Sequence, residues 1–141
     1  MTIHVRYYSR GGNTKKLAEC IAKAAGVQAQ AKAIDSGSAE TEQADILFLG
    51  ASVYWGGIDN NVKAYIDQLD PQKVKKVAVF STSALAQRAM PDIRKRLEKK
   101  GIPVADENFY CRGEFAALHK GHPDKEDLKA AEKFAREVLR K

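Results

Sequence analysis

The chain has 141 residues, enough for one domain with a real hydrophobic core. Hydrophobic residues make up 44% and charged residues 30%, the balance of an ordinary globular protein. No apolar run approaches the ~20 residues that span a bilayer, no charged segment leads an apolar stretch as in a signal peptide, and Cys20 and Cys111 are too few for a disulfide framework. The expectation is a cytoplasmic protein with free, buried thiols and no membrane association.

Strand and helix signals alternate along the whole chain. Ile3 to Tyr8 reads as a first strand. Leu17, Ala18, Ile21, Ala22 and Ala25 then mark one helical face, closed by Gly26. Val27 to Ile34 is a weaker strand, diluted by Ala, Gln and Lys, and Asp35 to Gln43 reads as a loop or short helix. Ile46 to Leu49 is fully apolar, as suits a strand covered on both faces. Val62, Tyr65, Ile66 and Leu69 recur at helical spacing before Pro71. Val77 to Phe80 predicts a fourth strand, and Met90, Ile93 and Leu97 a helix closed by Gly101. Pro103 to Cys111 is polar in its middle and reads as an edge strand. Leu128, Ala131, Phe134, Ala135, Val138 and Leu139 form the core face of a last helix.

Five strands interleaved with helices predict a single α/β domain, a parallel sheet with helices on both faces. Ligands in such sheets sit beyond the carboxyl ends of the strands, where the strand order reverses. Three loops should meet there: Ser9 to Thr14, Ala51 to Gly57, and Ser81 to about Ala89, with Arg112 to Phe115 near them.

The first loop, Ser9-Arg10-Gly11-Gly12-Asn13-Thr14, leaves a strand and opens a helix. Its backbone N–H groups can converge on a phosphate, and the helix start adds partial positive charge. It is neither G-x-x-x-x-G-K-[ST] nor G-x-G-x-x-G, and the same residues also suit a plain turn with a helix cap. The second loop, Ala51-Ser52-Val53-Tyr54-Trp55-Gly56-Gly57, holds the only Trp of the chain beside a Tyr. Those aromatics either fold back over the core or wall a flat ligand. Together the two loops suggest a phosphorylated, planar cofactor.

From Val5 to Ile21 the chain resembles the short-chain flavodoxins. Their signature runs apolar, apolar, aromatic, any, Ser/Thr, two of any kind, small, any, Thr, three of any kind, Ala, two of any kind, apolar. Val5, Tyr7, Ser9, Gly12, Thr14, Ala18 and Ile21 match it, and only Arg6 departs. The resemblance implies a three-layer sandwich around a sheet of order 2-1-3-4-5, and FMN as cofactor. It implies that Ser9, Arg10, Gly11, Gly12, Asn13 and Thr14 hold the phosphate. Ser52, Val53, Tyr54, Trp55 and Gly56 then match one flavin-ring loop, and Ser81, Thr82, Ser83 and Ala84 the start of the other. Gly56-Gly57 matches the peptide that can turn towards flavin N5.

The function so implied is cytoplasmic electron transport between redox partner proteins. Two alternatives stay open: an FMN-dependent NAD(P)H:quinone-type reductase, and a fold-keeping interaction module without cofactor. No Ser-His-Asp, Cys-His or metal-ligand spacing is visible; His119 and His122 read as a solvated loop. The net charge of +6 departs from the acidic habit of electron-carrying flavodoxins and suggests acidic partners. Arg94, Lys95, Arg96, Lys99 and Lys100 lie opposite Ile93 and Leu97, the pattern of a solvated helix face. No aromatics interleave with them, so nucleic acid is not an expected partner.

Overall fold

The computed structural model describes residues 1–8, 12–26, 30–34, 43–53, 58–83, 89–112 and 123–140, with the backbone alone at 52, 53, 83, 89 and 112. Within these the order is β1 (Ile3–Tyr7), α1 (Asn13–Ala25), β2 (Ala31–Ala33), β3 (Ile46–Val53), α2 (Asn60–Gln68), β4 (Val77–Ser83), α3 (Ala89–Lys99), β5 (Val104–Arg112) and α4 (Lys125–Arg140). The strands pair in parallel in the order β2-β1-β3-β4-β5. The order reverses after β1, so the crevice beyond its carboxyl end is the natural ligand position.

Side-chain alternation sorts the core into two layers. Val5, Tyr7, Phe48, Ala78 and Phe80 pack with Leu17 and Ile21 of α1 and Phe134 and Val138 of α4. Leu47, Leu49, Val77 and Val79 pack on the other face with Val62 and Ile66 of α2 and Ile93 and Leu97 of α3. The Phe134 ring meets Phe48 edge-on, with centroids 5.8 Å apart and planes at 78°, the favoured aromatic geometry. Helix starts are fixed by local caps. Asp59 accepts from Asn61 N at 2.9 Å, and Asp124 and Asp127 exchange backbone-to-carboxylate bonds of 2.9 Å at the start of α4.

Several boundaries differ from those read in the sequence. β3 and β4 run past their apolar stretches to Val53 and Ser83, because the ladder continues through Ala51↔Ser81, Ser52↔Thr82 and Val53↔Ser83. Pairing needs backbone, not hydrophobicity, so small and hydroxyl residues carry it onward. β2 is confined to Ala31–Ala33. β5 is an edge strand, as its polar middle implied.

Arg6 is only 8% exposed despite its charge. Its Nη1 donates to the carbonyls of Val5 at 3.0 Å and Gln30 at 3.5 Å, and its Nη2 lies 3.3 Å from His4 Nδ1. A guanidinium only donates, so His4 Nδ1 accepts, and Nε2 carries the proton towards Gln43 O at 3.1 Å. The pair lines a small cavity beside Tyr65 of α2 and Leu69, which follows that helix. At the amino edge of the sheet, Thr2 N donates to Asp45 Oδ2 at 2.7 Å, and Lys75 Nζ sits 3.2 Å from Oδ1. Both hold the Asp45 carboxyl below its ordinary range, the Thr2 bond most.

Gly50 lies at the middle of β3, between Tyr7 of β1 and Phe80 of β4. A Cβ there would run into the Cε2 and Cζ atoms of the Phe80 ring and come within 3.0 Å of Thr14 Cγ2. The absence of a side chain is what lets Phe80 lean over β3 and Thr14 descend onto it. Gly50→Ala is therefore expected to destabilise the fold by about 1–3 kcal/mol, the usual penalty for overpacking a tight core. Urea unfolding should show a lower midpoint at unchanged slope. Combining it with Phe80→Leu should cost less than the sum of the two changes, because the ring that clashes is gone.

Candidate functional site

The carboxyl edge of β1, β3 and β4 is built around the start of α1. Gly12 has φ 87°, the left-handed region that a Cβ disfavours, and caps the helix with no side chain. Lys16 N closes the first helical bond onto Gly12 O at 3.1 Å. Asn13 and Thr14 turn inward and are buried, at 9% and 0% exposure. Lys15 and Lys16 point outward and are exposed.

The charge at this helix end is unusual. The first turn of α1 contains no acidic residue. Acidic side chains normally stabilise a helix start and cations oppose it. Two lysines there weaken an isolated helix but add to its dipole in attracting an anion. The donor set is backbone N–H groups at a helix start, hydroxyls and ammonium groups, with no carboxylate in that turn. Such a set fits a phosphate.

Behind this helix start lies a buried hydroxyl pair. Thr14 Oγ1 and Thr82 Oγ1 are 2.9 Å apart, and either can be the donor. Thr82 is 3% exposed and its strand partner on β3 is Ser52. It faces the α1 side of the sheet, two residues beyond Phe80, whereas Ser81, also 3% exposed, faces the other way. The pair ties the first loop to β4 across β3, over the space that Gly50 leaves open.

The structure thus brings Gly12, Asn13 and Thr14 together with Thr82, and places Ser81 beside it on β4. Ser52, Val53 and Ser83 are the closing residues of β3 and β4. Ser9, Arg10, Gly11, Tyr54, Trp55, Gly56, Gly57 and Ala84 lie outside the described residues. Sequence reasoning missed Gly50 and the direction in which Thr82 points. The signal for Gly50 was present, a glycine closing the buried run Ile46 to Leu49. No local signal links Thr14 to a residue 68 positions away.

Both thiols are packed against neighbouring elements, Cys111 as the strand partner of Thr82. Cys20 donates to Leu128 O at 3.2 Å between α1 and α4, and burial and then Glu132 push its pKa up to about 11. Burial, and then Asp127 and Asp124, push Cys111 up to about 12. Both are protonated and poorly nucleophilic near neutral pH. Among the described residues no helix is long and apolar enough to cross a membrane.

Comparison with known proteins agrees with the fold. The family model described as Flavodoxin domain matches residues 4–133. An uncharacterized protein of Methanocaldococcus jannaschii is 29% identical over 140 residues, covering 91% of each chain. A flavodoxin from the domain Archaea superposes with a TM-score of 0.82 at 21% identity, over 99% of this chain and 97% of its own. Oxidised Flavodoxin 2 from Bacillus cereus superposes at 0.75 with 22% identity, over 99% of each chain.

The hydroxyl pair makes a direct prediction about stability. Removing one member takes this bond from the other, buried hydroxyl, at a cost of about 1 kcal/mol. Thr14→Val and Thr82→Val should each lower the urea midpoint. The double variant should lose less than the sum, with a coupling of about 1 kcal/mol. Strict additivity would mean that the two hydroxyls do not interact in solution.

Proposed function

The chain belongs to the flavodoxin family, and from that premise we propose that it is a cytoplasmic electron carrier that binds FMN and serves other redox proteins. The observation that supports this best is the start of α1 at the carboxyl edge of the sheet, which combines a glycine cap, buried Asn13 and Thr14 and two exposed lysines with no first-turn carboxylate. When bound, FMN supplies the redox chemistry, and the protein supplies binding, orientation and electrostatics.

In this reading the phosphate is held by Ser9, Arg10, Gly11, Gly12, Asn13 and Thr14, mainly through backbone N–H groups. Ser52, Val53, Tyr54, Trp55, Gly56 and Gly57 form one wall of the ring site, and Ser81, Thr82, Ser83 and Ala84 begin the other. The walls shield the ring from water and fix its angle. The Gly56-Gly57 peptide offers a hydrogen-bonding group whose orientation can change at low steric cost.

The test is direct. The purified protein should be yellow and release FMN on denaturation. Because Trp55 is the single tryptophan, its emission should be quenched on titration of flavin-free protein with FMN. Thr14→Ala should weaken FMN binding about tenfold while barely changing riboflavin binding, since a charge-assisted bond contributes ~1.5–3 kcal/mol. Equal losses for both ligands would remove the phosphate assignment.

The net charge of +6 carries its own expectation. Encounter with an acidic reductase is steered by opposite charge and screened by salt. Stopped-flow reduction should therefore slow as ionic strength rises. A rate that climbs with salt would count against this steering.

A further inference from the structure

Thr82 stands in the ring-loop segment by sequence, but its hydroxyl points elsewhere. It is 3% exposed and lies 2.9 Å from Thr14 Oγ1, which is itself fully buried. Resting on the FMN reading above, we propose that Thr82 is a positioning residue for the phosphate, acting through Thr14 rather than on the flavin ring.

The argument follows from counting protons. A threonine hydroxyl has one proton to donate and two lone pairs to accept with. In the Thr14–Thr82 pair, one hydroxyl donates and the other accepts, and the geometry permits both directions. A phosphate dianion can only accept. Once the Thr14 proton is committed to it, Thr14 Oγ1 is left as acceptor towards Thr82, and Thr82 becomes the donor. The result is a one-way chain, Thr82 O–H to Thr14 O–H to phosphate, in which each bond polarises the next. The low-dielectric setting beneath α1 strengthens it.

Thr82 is well placed to hold that direction. It sits in the ladder of β4, paired to Ser52 on one side and Cys111 on the other. Strand backbone moves little, so its hydroxyl is a fixed reference for the rotor of Thr14. Gly50 makes the reach possible, because only a residue without Cβ leaves Thr14 room to descend between β3 and Phe80. The chain also joins β4, which leads into the second ring loop, to the phosphate end of the ligand.

The experiment is a comparison of FMN and riboflavin binding to the full chain stripped of flavin. Thr82→Val should weaken FMN about fivefold and leave riboflavin within about twofold, because only the phosphate bond loses its support. Thr82→Ala should do the same, should the valine variant fold poorly. Thr82→Ser, which keeps the donor, should match the wild type. In a Thr14→Val background, Thr82→Val should produce no further loss of FMN preference. Parallel losses of both ligands, an unchanged FMN preference in Thr82→Val, or the same loss without the Thr14 hydroxyl would each overturn the relay while leaving FMN binding intact. A wild-type chain that binds FMN no more tightly than riboflavin would instead remove the premise, and the relay with it.

Discussion

The carboxyl edge of this sheet depends on one absent atom. β3 is the centre of the sheet, and at Gly50 it has no Cβ. The Phe80 ring fills part of the resulting hollow and the Thr14 methyl approaches the rest. Protein interiors are packed too densely to absorb even one extra carbon without displacement. The hollow therefore sets the height of the α1 start above the sheet, and with it the place where the helix N–H groups converge. Core packing and ligand geometry are one constraint at this point.

A second consequence concerns charge. The usual way to stabilise a helix start is an acidic cap, as Asp59 and Asp124 provide for α2 and α4. The α1 start forgoes it, with glycine at the cap and lysines in the first turn. Three helices in one molecule thus show the rule twice and its exception once. The exception falls on the helix that faces the crevice where the strand order reverses, the place where an anion can supply the missing negative charge.

Much of this architecture was legible in the sequence. Apolar runs such as Ile46 to Leu49 and helical stripes such as Leu17, Ala18 and Ile21 reported the layers directly, since burial on two faces or one dictates those periods. The ends of β3 and β4 were not legible. Gly50, Ala51 and Ser81 have weak strand preferences and are held there by their neighbours' hydrogen bonds. Arg6 was equally opaque. A buried guanidinium in an inner strand makes sense only once the carbonyls of Val5 and Gln30 and the ring of His4 are seen beside it. Of the site, the Gly12 helix cap with Asn13 and Thr14 behind it was readable because those residues are contiguous. The Thr14–Thr82 pair was not, because its members meet only through the fold.

The polar middle of β5, which weakened its strand signal, has a meaning of its own. β5 is a nine-residue strand at the margin of the sheet, and among the described residues no strand pairs with its outer side. Long, flat, apolar margins are templates for a second chain to add to. Between the pairs Val77↔Val104 and Val79↔Asn108, β5 carries more residues than β4, so the ladder is irregular there. Asp106 and Glu107 fall within that stretch, and Asp106 is exposed. A charged irregularity of this kind interrupts the straight row of donors and acceptors that an incoming strand would need. The same residues that make β5 a poor strand on paper are of the kind that discourage a second chain from adding to an open sheet edge.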